Sequence, residues 1–214
     1  MAFNFPEGAT FQYSVTFASP KTISAVTNAN PAVLTSTSHG YSDNDEFLFL
    51  SGWSDANNTV FRANQLTADT FEALGLDSSN TTYFGAGTGT GTTSKISGWT
   101  EIAQVLTIAT SGGDTKYTDV QLLAARQSIK IPTGFNAATT TLSLAHDPAN
   151  ATYQAMLGIS RAFTLCAFRI VGGGGTTYGY GYMTVNEAPK MQAGQVNQVD
   201  CAITMIGRQI AYAS

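Results

Sequence analysis

The stretch that decides the fold lies near the start of the chain and reads FQYSVTF, residues 11–17. Its aromatic and aliphatic residues stand at every second position, with Gln, Ser and Thr between them, which is the period of a strand with one buried face. Strand-like segments return at 163–171, 178–187 and 196–206. Four glycines at 172–175 join the first two of these segments and predict a hairpin. The chain is therefore predicted to be mainly antiparallel β.

The composition indicates a chain that associates with itself. Hydrophobic residues make up 43% of the 214 residues, but charged residues only 11%, against about 25% in a typical soluble domain. The surface must then be covered by Thr, Ser, Asn and Gly, which repel neighbouring copies less than Lys and Glu would. A net charge of −4 and the lack of a Lys/Arg cluster argue against a protein that binds nucleic acid by neutralising phosphates.

The N-terminal residues, the apolar segments and the cysteines indicate the compartment in which the chain is assembled. Residues 1–11 lack a basic stretch followed by an apolar run, and no window reaches the ~18 apolar residues of a membrane span. We expect assembly in the cytoplasm, with no membrane contact. In that reducing compartment Cys166 and Cys201, both in strand-like segments, are expected to be buried free thiols. A disulfide between them is the alternative.

Residues 21–92 differ in character from the rest of the chain. Short strand-like runs follow one another at close intervals: 23–26, 32–37, 46–50, 60–63 and 70–74. The segment is acidic, with Lys21 and Arg62 as its only bases, and it ends in the Gly- and Thr-rich stretch 85–92, which is typical of a linker. We therefore predict two domains: a body formed by residues 1–20 and 93–214, and a small β-barrel domain inserted at 21–92.

One long hairpin is predicted in the body. Residues 99–109 alternate like a strand, Ser111 to Asp114 indicate a turn, and a returning strand through Tyr117 to Ile131 is expected to pair with the first.

One helix is predicted after that hairpin. Asp147 is a natural N-cap, Pro148 suits the first helical position, and Gly158 can end the helix about ten residues later. Tyr153, Met156 and Leu157 have the spacing of a buried helix face. The predicted fold class is an antiparallel β-sandwich or barrel with one short α-helix, plus the inserted small β-barrel.

Residues suited to catalysis are few. His39 and His146 stand beside turn residues, which favours surface or capping roles, and no nucleophile elbow or zinc-binding His pair is present. Asp43, Asp45 and Glu46 could bind calcium or act as paired carboxylates, but the EF-hand spacing is missing and a solvated turn is the preferred interpretation. No catalytic, cofactor-binding or metal site is predicted, and we do not expect an enzyme.

Four segments resemble the tail tube (major tail) proteins of siphovirus-type phages: WTEIAQVL (99–106), TLSLAHDP (141–148), GYGYM (179–183) and NEAP (186–189). The resemblance covers the predicted body and implies a β-sandwich with one helix beside it, in a structural subunit of the virion tail. It further implies hexameric rings that stack into a tube, inner strands that close into a barrel, and loops that reach between rings. DNA would pass through the lumen at ejection without specific binding. The implied partners are further copies and the tape measure, terminator and distal tail proteins.

The insert resembles a different module, the small β-barrel similar to the first catalytic cysteine half-domain of ubiquitin-activating enzymes that decorates many phage tail proteins. The resemblance rests on ISAVTNANPAVLT (23–35), SHGYSDND (38–45), FRAN (61–64) and TFEAL (70–74). No cysteine lies between Lys21 and Thr92, so ubiquitin-type chemistry is not implied. An acidic module of this size would fill a lumen, and it is expected to project outward.

The candidate inter-ring contact is the predicted polar tip of the long hairpin: Asp114, Thr115, Lys116 and Tyr117. Two other functions fit the same sequence. In a tail module that binds a host receptor or glycan, the insert would bind sugars together with Tyr178, Tyr180 and Tyr182, which share one strand face; those tyrosines fit packing across a sheet equally well. A tail terminator subunit would instead form single rings and would not polymerise.

Overall fold

The computed structural model describes residues 8–124 and 126–213. Within these residues lie one α-helix, α1 (Ala151–Arg161), and 17 strands in three antiparallel sheets. The strands are β1 (Thr10–Ser14), β2 (Lys21–Ile23), β3 (Ala25–Val26), β4 (Ala32–Thr35), β5 (Glu46–Ser51), β6 (Thr59–Gln65), β7 (Thr70–Leu74), β8 (Gly91–Lys95), β9 (Thr100–Glu101), β10 (Val105–Ser111), β11 (Thr115–Val120), β12 (Ile129–Phe135), β13 (Thr139–Ala145), β14 (Leu165–Gly172), β15 (Gly175–Val185), β16 (Gln198–Met205) and β17 (Ile210–Tyr212). The predicted fold class, mainly antiparallel β with one short helix, is confirmed.

The largest sheet, here called the body sheet, has the strand order β10-β13-β16-β15-β14-β1-β9, with β17 beside β15. The predicted hairpin is confirmed, since β14 and β15 pair as far as Gly172↔Gly175 and two glycines make the turn. The opening FQYSVTF strand is shorter than its alternation indicates: β1 ends at Ser14, and Phe17 makes only an isolated bridge to Ile96. Its residues Phe11 and Tyr13 enter a core shared with β13, β14, β15, β16 and α1.

Helix α1 packs one face against this core. Its buried residues are those that the spacing predicted: Tyr153, Met156 and Leu157. The predicted helix ends are wrong. Asn150 is the N-cap, because its side chain accepts hydrogen bonds from the backbone N–H groups of Thr152 and Tyr153 at 2.9 and 3.1 Å, while the Asp147 carboxylate accepts from the Ala149 N–H before the helix begins. Gly158 lies inside the helix, which continues to Arg161.

Strands between Lys21 and Lys95 form the second sheet, with the order β2-β8-β5-β6-β7-β4-β3. Its two end strands, β2 and β3, are consecutive in the chain, and the intervening Ser24 N–H donates to the Thr35 carbonyl at 2.9 Å, so the sheet curls into a nearly closed barrel. All five predicted strand runs fall on strands of this sheet. Aromatic side chains fill its interior: Tyr41, Phe47, Phe49, Trp53, Phe61, Phe71 and Phe84.

The Gly- and Thr-rich stretch 85–92 is an exposed loop at residues 86–88 and 90, but its interpretation as a linker is wrong for Gly89, Gly91 and Thr92, which pack in the second sheet. Gly91 and Thr92 begin β8, which pairs with both β2 and β5. Trp53 Nε1 donates to the Gly85 carbonyl at 2.8 Å. A Cβ at Gly89 would lie 2.6 Å from the Trp53 ring, and glycine therefore lets the backbone approach the indole.

The long hairpin predicted between 99 and 131 does not form. β10 pairs with β13, from Val105↔Leu144 to Ser111↔Thr139, whereas β11 and β12 pair with each other in a two-stranded sheet of their own. The chain leaves β10 through Gly112 and Gly113, both at positive φ (80° and 77°). A Cβ on Gly112 would lie 2.3 Å from the Ala137 carbonyl oxygen, so this sharp exit from the body sheet requires glycine.

The final strands complete the body sheet. β16 confirms the predicted last long strand, and β17, which was not predicted, pairs with β15 from Thr176↔Tyr212 to Tyr178↔Ile210. Cys166 in β14 and Cys201 in β16 are free and fully buried, as predicted. Burial raises the pKa of each thiol to about 12.

Candidate assembly surface

The outer edge of β10 is a free strand edge. β10 ends the body sheet, and within the described residues it pairs only with β13. Its sequence, VLTIATS, has neither a charge nor a proline, the two devices that commonly protect an edge. Ile108 lies opposite the fully buried Leu142 and so faces the core side, yet its side chain is 38% exposed because no strand lies beside it. This edge can accept a further strand.

The hairpin of β11 and β12 has no packed face. Every residue of β12 is exposed, and β11 is half-buried only at its two ends. Cross-strand pairing groups the side chains by face: Thr118, Val120, Ile129 and Ile131 on one, and Tyr117, Asp119, Lys130 and Pro132 on the other. An isolated two-stranded hairpin is at best marginally stable in water. This hairpin therefore needs a partner to complete it.

The four residues predicted as the inter-ring contact lie at the root of this hairpin. The Asp114 carbonyl accepts the Asn136 N–H at 2.9 Å, while Thr115, Lys116 and Tyr117 begin β11. Their predicted place at a hairpin tip is wrong, because the strand that returns beside β10 is β13.

The true tip is the turn that follows Val120. Leu122 and Leu123 in this turn are 52% and 109% exposed. Large apolar side chains at this exposure are typical of a contact surface.

A groove of about 630 Å³ opens at the hairpin root. Its walls come from three places: Gly113 and residues 135–138 at the root, residues 205–209 after β16, and Asp55 of the second sheet's loops. Phe135 stands in this groove with its side chain 78% exposed. The groove is thus lined by the hairpin, by the body sheet and by a loop between β5 and β6.

A polar cluster joins the body sheet to the second sheet. Glu46 in β5 accepts three hydrogen bonds from the body: from Trp99 Nε1 at 2.5 Å, Arg169 Nη1 at 2.6 Å and the Tyr178 hydroxyl at 2.5 Å. The Glu46 side chain is only 13% exposed and that of Arg169 24%. The Arg169 guanidinium also lies 4.6 Å from the centroid of the Trp99 ring. One carboxylate therefore satisfies three donors at once.

Arg62 forms the other half of this junction. Its guanidinium donates to the Tyr178 hydroxyl through Nε at 3.0 Å and Nη2 at 2.8 Å, and it lies 4.8 Å from the centroid of the Tyr212 ring. The Tyr212 hydroxyl accepts the Arg62 backbone N–H at 3.0 Å and donates to the Leu74 carbonyl at 2.6 Å. Burial is the main cause that raises the pKa of Tyr212 to about 12. The last strand thus ties the second sheet to the body.

Sequence reasoning missed this junction, although a signal was present. Arg62 and Arg169 each stand inside an apolar strand, VFRAN and AFRIV, and a charge in such a strand is normally paired. Glu46 was grouped with Asp43 and Asp45 as a solvated turn, which is wrong for Glu46. Asp45 instead forms an ion pair with Lys95 at 2.5 Å.

The remaining candidate groups serve packing. His39 is 3% exposed, with Nε2 2.9 Å from the Thr67 carbonyl oxygen and Nδ1 accepting the Tyr41 N–H. Of its two predicted roles, surface or capping, the surface position is therefore wrong. Tyr178 and Tyr180 are buried between the two sheets, and only Tyr182 is partly exposed. Packing across sheets thus accounts for two of the three tyrosines.

Within residues 8–124 and 126–213, no group of three or more His, Cys, Asp or Glu side chains could hold a metal ion. No helix there has the length and apolar character to span a membrane.

Comparison with known proteins gives the family. Two solved structures resemble the chain at 14% sequence identity and a TM-score of 0.41: "Virion of native gene transfer agent (GTA) particle", over 54% of this chain and 89% of that one, and "Tail of empty GTA particle computed with helical refinement, C6 symmetry", over 54% and 87%. A TM-score of 0.41 is too low to establish a shared fold. No curated protein sequence matches the chain. The family described as "Phage tail tube protein, TTP" matches residues 51–214, a range that takes in strands of all three sheets. The chain belongs to the phage tail tube protein family, whose members are structural subunits of the virion tail.

Proposed function

We propose that this subunit assembles into hexameric rings that stack into a tube around the channel for DNA ejection. The observation that carries the proposal is the free edge of β10 beside a hairpin without a packed face. Closing a sheet around a ring removes free edges, and a head-to-tail contact that closes on itself forms a ring.

Surface composition supports stacking as well as ring closure. Only 11% of the residues are charged, and the buried cores of protein interfaces are depleted in charge. The exposed apolar residues of the hairpin and its tip would be covered in such an assembly: Tyr117, Leu122, Leu123, Ile129, Ile131 and Phe135.

We further propose that the predicted inserted domain, residues 21–92, lies on the outer side of the tube and extends to Lys95, where β8 ends, and that residues 1–20 and 96–214 form the tube wall. The second sheet has its own aromatic core, distinct from the core around α1, and its resemblance to the catalytic cysteine half-domain remains a prediction. Besides Glu46, which lies in the junction, six acids of this segment would add negative charge to the lumen if it faced inward: Asp43, Asp45, Asp55, Asp69, Glu72 and Asp77. Outward projection avoids placing these charges beside DNA phosphates.

Asp114, Thr115, Lys116 and Tyr117 remain our proposed inter-ring contact, now from the hairpin root. This position puts them beside the open groove, where a loop of the next ring has room to enter. Replacing Asp114 and Lys116 together by Ala should leave single rings and shorten the tubes, as seen by electron microscopy. Tubes of unchanged length would exclude this contact.

The proposal is tested by negative-stain electron microscopy and sedimentation of the concentrated protein. Stacked six-fold rings establish it, and density for residues 21–92 should then lie on the outer wall. Single rings would favour a terminator subunit, and a monomer or trimer with glycan affinity would favour a receptor-binding module. In the virion, the tube would contact the tape measure, terminator and distal tail proteins after assembly in the host cytoplasm.

A further inference from the structure

We infer that neighbouring subunits are joined by strand addition in one direction, with the outer edge of β11 of one copy pairing with the outer edge of β10 of the next. This inference rests on the proposed ring assembly and names the two edges that would close it. It rests on the strand edges that residues 8–124 and 126–213 present.

Most strand edges of the molecule are short or covered. β9 has two residues, one of them the charged Glu101. β2 and β3 have three and two residues and meet at Ser24, where the second sheet closes. β17 has three residues and lies against β6 through Tyr212. Short and covered edges are poor templates for another strand.

Proline protects the outer edge of β12. A proline within a sheet is tolerated where its nitrogen faces away from the paired strand, so Pro132 leaves the outer edge of β12 without one N–H donor. In an antiparallel pair, the backbone N–H groups of two opposite residues either both face the partner strand or both point away from it. Tyr117 opposite Pro132, and Asp119 two residues on, therefore direct their N–H groups outward from β11. The edge of β11 keeps all its donors.

Two edges long enough to pair remain, and they match in length: that of β10, which is uncharged, and that of β11, which carries Lys116 and Asp119. β10 has seven residues and β11 six. β10 carries no charge that could repel Lys116 or Asp119 of an added strand. A strand placed beside β10 would also cover Ile108, whose side chain is exposed at the border of the core.

The partner must be a second copy of the chain. Within one chain β10 and β11 are separated by residues 112–114 only, and the positive φ of Gly112 and Gly113 directs β11 into a separate sheet. Each copy thus offers one edge and accepts the other. Such a head-to-tail contact has a direction, as ring closure requires.

Proline substitutions on opposite sides of the hairpin test this inference. Asp119 and Lys130 are cross-strand partners, so Asp119→Pro and Lys130→Pro each remove one outward N–H and one charge. They differ in the edge that is damaged and in the sign of the charge that is lost. We expect Asp119→Pro to weaken association about tenfold or more and Lys130→Pro to assemble like the wild type, both measured by sedimentation and electron microscopy.

A disulfide scan provides the second measurement. Single cysteines at Ala109 in β10 and at Thr118 or Ile131 in the hairpin are placed in separate, differently tagged proteins, which are mixed, assembled and oxidised. Native Cys166 and Cys201 are buried and stay unreactive. The cysteine at 118 should give more mixed dimer with the cysteine at 109 than the cysteine at 131 does, because β11 would lie next to β10 and β12 one strand further away, and a disulfide needs Cα atoms within about 7 Å.

The possible results distinguish a failure of the edge assignment from a failure of the ring proposal. Wild-type rings together with equal effects of the two prolines, or with mixed dimers only at 131, would overturn the edge assignment and leave the ring proposal intact. A single-cysteine protein that dimerises with itself would show like-to-like pairing and overturn the direction. Wild-type protein that never assembles would overturn the ring proposal and this inference with it.

Discussion

Replacing Glu46 by Gln should destabilise the junction between the two sheets. The carboxylate accepts hydrogen bonds from Trp99, Arg169 and Tyr178. The glutamine amide keeps one acceptor oxygen, but its NH₂ group must face a donor, and Arg169 loses its counter-charge. A lost hydrogen bond to a charged group costs about 1.5–3 kcal/mol, and with a side chain only 13% exposed solvent replaces little of it. We expect the free energy of unfolding to fall by about 2–3 kcal/mol.

The assay is thermal unfolding, monitored by calorimetry. For a chain of this size each kcal/mol shifts Tm by about 2–4 °C, so Glu46→Gln should lower Tm by roughly 4–12 °C. Glu187→Gln is the matched control, because Glu187 also pairs with an arginine, Arg161, but in water, with side chains 57% and 64% exposed. Exposed pairs contribute little, and the control should melt like the wild type. An unchanged Tm for Glu46→Gln, or an equal loss in both variants, would refute the reasoning.

Three further predictions concern the cores. Cys166 and Cys201 should react with a thiol reagent only at the rate of unfolding, since both are fully buried; fast labelling of the native protein would contradict this. The free energy of unfolding should fall between pH 9 and 12, because the thiols keep their protons to about pH 12 when folded and the unfolded chain releases them nearer pH 9. Denaturant titrations at pH 8 and pH 11 measure the difference. Equal stabilities at the two pH values would contradict the prediction. Gly158→Ala should raise the free energy of unfolding by about 0.5–1 kcal/mol, because its helical site has open space. Gly181→Ala should lower it by more than ~2 kcal/mol, because the added Cβ would lie 2.1 Å from the Thr204 carbonyl oxygen. Thermal melts in which Gly158→Ala is the less stable of the two variants would contradict both predictions.

Local signals predicted much of the fold. The glycine turn between β14 and β15 places two alternating segments next to each other in the chain, so their pairing follows from adjacency alone. The buried face of α1 follows from the spacing of Tyr153, Met156 and Leu157. The start of α1 does not follow from the sequence, because Asp147 and Asn150 are both good N-cap residues and only the structure shows that the helix begins after Asn150.

Partner choice over longer distances could not be predicted in the same way. Ser111 to Asp114 has the composition of a hairpin turn, but it directs the chain into a new sheet, and β10 pairs with β13, which begins at Thr139. The competing strands have similar alternation, so only the packing of Leu142 and Leu144 into the core distinguishes them.

The candidate assembly surface was hidden for a related reason. Ile129 and Ile131 alternate as they would in a buried strand, and alternation reports strand geometry without saying what covers the apolar face. The prediction of residues 114–117 as a contact rests on the polarity of an expected hairpin tip. The structure assigns them to the root, and it leaves the leucines of the actual tip exposed.

The neck between the two sheets has a consequence for how such a chain can be altered. The strands that lead into and out of residues 21–95 run side by side: Phe17 bridges Ile96, the Ala18 N–H donates to the Lys95 carbonyl at 2.8 Å, and the Ser97 N–H donates to the Thr16 carbonyl at 3.0 Å. Because residues 16–18 and 95–97 already lie next to each other, a short turn could connect them directly in place of residues 21–95. A foreign domain whose termini are adjacent could also be inserted there. Such a foreign domain would lack Glu46 and Arg62, and would hang from the neck as a mobile appendage where the native one is held rigidly.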